Sequence, residues 1–210
     1  MNNHNLHKYK EMKILLIGGT GTIGKKVKET LVHENEIIVA GRKSGDVICD
    51  LAESASIHKM FETIGMVDAI VSIAGEAKWD RFEKLTEADF YAGIKNKQMG
   101  QVNLVRIGKD YVNQGGSITL TSGITADEPE FMTSVAAMIN GAIHSFVKAV
   151  SLELDTIRVN VVCPDMVEDS FEKLQNYFPG QTPVSMQKVV NGYIKCIEGK
   201  VRGEIVRVKA

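Results

Sequence analysis

Short apolar runs alternate along the chain with segments in which apolar residues return every third or fourth position. The runs at 13–17, 36–40, 47–49, 67–73, 117–121, 157–162 and 204–208 are of strand length, and most lack the polar alternation of a half-exposed strand. Helical spacing fills the gaps over 22–33, 53–64, 89–113, 133–154 and 185–198, the third of these ended by Gln114-Gly115-Gly116. In the first helix Ile23, Val27 and Leu31 share a face, and in the fourth Val135, Ile139, Ala142, Phe146 and Val150 do. Strands and helices alternating at this pace imply right-handed crossovers and a mostly parallel sheet with helices on both faces. The chain therefore reads as one α/β domain over 13–210, behind a flexible tail of residues 1–12. Only 164–183 shows neither period.

Composition narrows the choice of partner. With 210 residues the chain suits a single domain with a full core, and its formal charge of -1 argues against nucleic acid or an anionic membrane. A small-molecule partner is favoured. Cys49, Cys163 and Cys196 lie far apart without metal-ligand spacing, so they read as reduced core thiols of a cytoplasmic protein that holds no metal. No apolar run approaches the roughly 20 residues needed to cross a bilayer, and the first ten residues lack the apolar stretch of a signal peptide.

The first strand breaks into glycines and then becomes a helix. Gly18, Gly21 and Gly24 form GxxGxxG, a spacing that permits a tight turn, close approach of backbone N–H groups to phosphate, and tight helix–strand packing. Gly18, Thr20, Gly21, Thr22, Ile23 and Gly24 are thus candidates for a dinucleotide cradle in a Rossmann-type, doubly wound sheet. An ordinary glycine-rich turn would read the same way. The second strand ends at Gly41-Arg42-Lys43-Ser44, with no carboxylate for a ribose 2′-hydroxyl. Arg42 and Ser44 suit a 2′-phosphate, hence NADP(H). At the third strand's edge Asp50, followed by Leu51, either accepts from an adenine amino group or caps the next helix. Ala74 and Gly75 close the fourth strand, where glycine lets a ribose or pyrophosphate lie against backbone.

With those residues in view the chain resembles the short-chain dehydrogenase/reductase family from Lys13 almost to its end. Ile73-Ala-Gly75 is similar to the family's NAG, 116–122 to the strand carrying its serine, and 152–154 with 157–164 to its sixth-strand signature. The resemblance implies hydride transfer at a nicotinamide, with a Tyr as acid or base and a Lys one helical turn later. Here those positions fall on Ala136 and Asn140. The serine falls at Gly123, beside Ser122, and the helix asparagine at Lys97, beside Asn96. The implied exchange is that Lys97 replaces the lost lysine charge, Asn140 contacts the ribose, and Ser122 is an available hydroxyl. Pro164 takes the family's place against the cofactor, although Asp165 follows it in place of glycine.

The expected function is an NADP(H)-dependent oxidoreductase acting on a small carbonyl compound with a non-standard site. The alternative is a catalytically silent NADP(H)-binding regulator or redox sensor. The resemblance further implies a substrate segment at 164–183 and a homodimer or homotetramer paired through the two long helices. His144, one turn after Asn140, reads as a packing residue, and Trp79 as core, lid or substrate wall.

Overall fold

The computed structural model describes residues 11–210; residues 1–10, where most of the expected tail falls, lie outside the described residues. Met12 belongs to the fold, since its N–H donates to Asn35 Oδ1 at 3.2 Å and its side chain packs on the core.

Seven strands form one sheet: β1 (Lys13–Ile17), β2 (Glu36–Gly41), β3 (Val47–Ile48), β4 (Val67–Ser72), β5 (Val112–Thr121), β6 (Arg158–Pro164) and β7 (Ile205–Val208). The order is β3-β2-β1-β4-β5-β6-β7, and every pairing is parallel. β1 sits between β2 and β4, with Leu15 opposite Ile38 on one side and Ile70 on the other. Both faces of β1 are buried, and its side chains divide between two cores as the pleat requires. Leu15 and Ile17 enter the core beneath α2 (Ser54–Ile64), α4 (Gly100–Gly108) and α5 (Ser134–Val150). Ile14 and Leu16 enter the other, beneath α1 (Thr22–Leu31) and α7 (Met186–Glu198). The chain leaves β1 toward β3 and returns to β4, so the direction of winding reverses between β1 and β4. A crevice opens at such a reversal, beyond the carboxyl ends of the strands. Among the described residues no helix is long and apolar enough to cross a membrane.

The long helix expected over 89–113 is divided. Thr86 and Asp89 form a reciprocal capping box that starts α3 (Glu87–Gly93); Ile94–Met99 then widens into a π-helical turn before α4 begins. Such a turn shifts the phase of every later side chain and recurs at functional sites. Clearance fixes the helix on both sides of it: a Cβ on Gly93 would lie 2.5 Å from Ile139 Cδ1, and one on Gly100 3.0 Å from Leu51 Cβ. Gly115 and Gly116, expected to stop that helix, instead carry an irregularity in β5, where the register steps from Val67–Val112 to Ala69–Ser117. The helix expected to reach Leu154 stops at Val150, leaving Leu152 exposed. The segment 164–183 is less irregular than its sequence suggests: it holds the four-residue α6 (Phe171–Leu174) and short 3₁₀ turns over an apolar cluster of Ile124, Met166 and Phe178.

The cradle glycines differ in what they leave room for. A Cβ on Gly24 would lie 2.1 Å from the Gly18 carbonyl oxygen, backbone against backbone, whereas one on Gly21 meets nothing nearer than 3.4 Å. Gly24→Ala is expected to cost about 2 kcal/mol or more by urea unfolding. Gly21→Ala should stay within about 0.5 kcal/mol of the parent. Equal stability of the Gly24→Ala protein would show that α1 does not rest on that contact.

Candidate functional site

The crevice holds a cleft of about 440 Å³ walled by Gly18, Thr20, Gly21, Arg42, Asp50 and Ala74, among others. Gly18 turns the chain at a φ of 83°, where a Cβ would lie 2.9 Å from the Ile73 carbonyl oxygen. Gly21 caps α1 without a side chain, and the first N–H to find a helical partner is that of Lys25, on Gly21 O at 2.9 Å. The N–H groups of Thr22, Ile23 and Gly24 are therefore the open donors of a helix with no acid in its first turn. Open donors and the positive end of the helix dipole suit a phosphate anion.

Arg42 stands on the cleft wall, while Ser44 lies in the same exposed turn outside the lining. Asp46, the acid of that turn, is turned inward: its Oδ2 accepts from the Val39 N–H at 2.8 Å. Asp50 does not cap α2, whose N-cap is Glu53. The Asp50 Oδ1 accepts from the Ala52 N–H at 3.0 Å, bracing the entry to α2, and Asp50 also faces the cleft beside buried Leu51.

A second cavity of about 610 Å³ shares Ile73, Gly75 and Glu76 with the first, so the two adjoin. Lys97 enters it from the π turn. Gly75 makes this entry fit, because a Cβ there would lie 2.8 Å from Lys97 Cγ, and its φ of 117° suits glycine. Lys97 Nζ has no hydrogen-bond or ion-pair partner among the described residues, and burial pushes its ammonium down to about 8. Neighbouring Asn96 faces the first cleft instead. Asn140 is buried, its Nδ2 donating to Thr125 Oγ1 at 2.9 Å while its Oδ1 has no partner. A Cβ on Gly123 would lie 3.1 Å from that Nδ2, so the amide occupies the space a side chain at 123 would use. Ala136 is buried in the same wall, where a phenol is absent.

Ser122 ends β5 on the cavity wall, its N–H on Val162 O at 3.0 Å. Its Oγ lies 2.8 Å from His144 Nε2. The strand end is clamped by buried Gln101, whose amide donates to Thr121 O at 3.0 Å and accepts from Thr121 N at 2.8 Å. Pro164 lines the cavity, and the Asp165 carboxylate turns to its own chain, accepting from the Met166 N–H at 2.7 Å. Trp79, with Tyr177 and Phe178 at 5.3 and 5.7 Å between ring centroids, makes the apolar outer wall.

The structure thus brings Lys97, Asn140, Ser122 and Pro164 to one cavity and the glycine turn, Arg42, Asp50 and Ala74 to the other. Gln101, Thr125 and the Ser122–His144 bond were missed from sequence. For His144 the signal was present: Ala136, Asn140 and His144 recur every four residues on one face of α5.

Comparison with known proteins agrees with this architecture. A family model described as enoyl-(acyl carrier protein) reductase matches residues 23–190. A short-chain dehydrogenase/reductase of Pestalotiopsis microspora is 32% identical over 74% of this chain, which spans 62% of that relative's length. The 15-hydroxyprostaglandin dehydrogenase [NAD(+)] of Rattus norvegicus is 24% identical over 94% of the chain and 82% of its own length. Among solved structures, the protein lin1944 of Listeria innocua is 44% identical with a TM-score of 0.92, covering 94% of this chain and 99% of that one. A small-chain dehydrogenase in complex with NADPH is 27% identical with a TM-score of 0.84, covering 95% and 97%. A Rossmann-type parallel sheet with this glycine turn defines a dinucleotide-binding oxidoreductase fold. The chain belongs to the short-chain dehydrogenase/reductase family.

Lys97 also sets a stability signature. Below about pH 8 its ammonium is charged in both folded and unfolded chains, and burial of that charge costs the folded state. Between about 8 and 10.5 the unfolded chain keeps the proton that the folded one has lost, so stability rises with pH. Lys97→Met is therefore expected to be about 1–3 kcal/mol more stable than the parent at pH 7, with the gap closing by pH 10.5 in urea titrations. A destabilised variant would place the ammonium in water.

Proposed function

We propose that this chain is an NADP(H)-dependent oxidoreductase that passes hydride to or from a small, uncharged carbonyl compound. The observation that carries the reading is Lys97: a half-buried cation without a hydrogen-bond partner among the described residues, on a cavity that adjoins the glycine-walled cleft. Burial weakens the hydration of its ammonium, so an anionic or strongly polar group placed against it would be stabilised. The developing alkoxide of a carbonyl reduction, together with the polar edge of a nicotinamide ribose, is such a group.

The residues fit the cofactor. The open N–H groups of Thr22, Ile23 and Gly24 face a pyrophosphate, Arg42 offers charge to a 2′-phosphate, and the inward turn of Asp46 removes the acid that would favour a free 2′-hydroxyl. Asn140 Oδ1, a buried acceptor lacking a donor, suits a ribose hydroxyl. When bound, NADP(H) supplies or takes up the hydride. Lys97 stabilises charge on the substrate oxygen, Ser122 presents a hydroxyl to it, and Trp79, Met166 and Phe178 shelter the apolar remainder from water. Carboxylates at Glu76 and Asp165 on the same cavity disfavour an anionic substrate. The NADPH-bound neighbour supports the cofactor choice. Exposed Tyr91, Phe131 and Met138 support pairing of two copies through this side, which light scattering would read as a dimer or tetramer.

Titration with NADPH and NADH should show NADPH bound at least about tenfold more tightly, with Arg42→Ala erasing most of the difference. Across a panel of aliphatic and aromatic ketones and aldehydes, NADPH absorbance should fall, and Lys97→Ala should lower kcat/KM by roughly 10²-fold or more. Binding without oxidation of NADPH by any member would favour a regulator or redox sensor, the reading suggested by Ala136 in the place of the acid.

A further inference from the structure

Ser122 Oγ does not end its hydrogen bonding at the cavity wall. It lies 2.8 Å from His144 Nε2, and His144 Nδ1 lies 3.8 Å from Asp127 Oδ1. Ser122 and His144 are buried, at 5% and 6% exposure, whereas the Asp127 side chain is 31% exposed. The three groups therefore run from the cavity to the surface, across the strand end, α5 and the turn after β5. The arrangement is braced from outside. Arg207 on β7 holds Asp127 with two bonds, at 2.6 and 3.1 Å, and Lys209 pairs with neighbouring Glu128.

The geometry points to a proton relay in which Ser122 hands the substrate's hydroxyl proton on to His144 in place of the missing phenol, with the Asp127 carboxylate 3.8 Å away stabilising the imidazolium. This rests on the oxidoreductase reading above. In alcohol oxidation the substrate O–H proton passes to Ser122 Oγ as the Ser122 proton passes to His144 Nε2. The substrate oxygen becomes a carbonyl as its carbon gives up hydride, and His144 becomes imidazolium beside Asp127. Reduction runs the same transfers backward, so protons balance in both directions. Asp127 favours a proton on Nδ1, which leaves Nε2 bare to accept. His144 and Asp127 act through Ser122 and are positioning residues.

The groups facing His144 set when it can accept. Burial lowers its affinity for a proton, as do Arg207 and Lys148, and Asp127 offsets this only in part, so the ring is neutral near pH 7. The Cys163 thiol on the far side of Ser122 is raised by burial and stays protonated. Oxidation therefore gains as pH rises past the His144 transition, which lies below the usual histidine range.

Histidine ¹⁵N spectra of the protein without cofactor test the relay apart from turnover, with His144 assigned through His144→Gln. The expected result is an Nδ1–H tautomer whose Nε2 resonance moves in Ser122→Ala, and whose titration falls further in Asp127→Asn. An Nε2–H tautomer, or an Nε2 resonance indifferent to Ser122→Ala, would overturn the relay whether or not the protein turns over. In kinetics His144→Gln should keep NADPH affinity, lower kcat roughly 10–100-fold and remove the acid limb of the oxidation profile. An unchanged profile would also overturn it. Failure of the parent to bind NADP(H) would instead remove the oxidoreductase reading while leaving the tautomer result to judge the Ser122–His144 bond.

Discussion

The contact between Gly24 and the Gly18 carbonyl decides where the first helix begins, and with it where an anion can sit. Because no side chain separates them, α1 starts directly over the end of β1 with its first N–H groups uncapped. Thr22 and Ile23 stand on the cavity wall beside the crevice created where the winding reverses between β1 and β4. Burial of β1 on both faces makes this placement rigid. Leu15 and Ile17 anchor one core and Ile14 and Leu16 the other, so β1 cannot slip by one residue without exchanging every side chain between the two.

The second half of the site is a set of mutually dependent exchanges. Lys97 reaches the cavity because Gly75 leaves room for its stem and because the π turn sets its direction. Asn140 lies over Gly123, where a side chain at 123 would press on its amide at 3.1 Å. The hydroxyl moves one residue back, to Ser122, where its neighbour on α5 is His144. An ammonium, an amide and a hydroxyl thus meet on one cavity, with an imidazole behind the hydroxyl. The cost is an acid–base group that must act through a chain of bonds rather than as one phenol.

Much of the fold was legible because buried parallel strands write themselves as unbroken Ile and Val runs. Strand and helix order, the glycine turn and the basic turn at Arg42 all follow from local pattern. The breaks in the pattern came from tertiary contacts instead. The π turn at Ile94–Met99 leaves no trace in the apolar period of 89–113, because the clearance of Gly93 and Gly100 is set by α5 and Leu51, far off in sequence. For the same reason Gly115-Gly116 looked like a helix stop and is a strand irregularity against Asp68. At the site, Lys97, Asn140 and Ser122 could be named as candidates and they line one cavity, whereas the partners of Ser122 could not. A hydrogen bond across 22 residues depends on how α5 lies over β5 and β6, which no window of sequence contains.

A crystal structure of the protein grown with NADP⁺ tests the central claim most directly. The account predicts the pyrophosphate within hydrogen-bond distance of the Thr22 and Ile23 N–H groups, the 2′-phosphate against Arg42, and a nicotinamide-ribose hydroxyl donating to Asn140 Oδ1. A nucleotide bound elsewhere, or one whose nicotinamide half avoids Lys97 and Asn140, would contradict it.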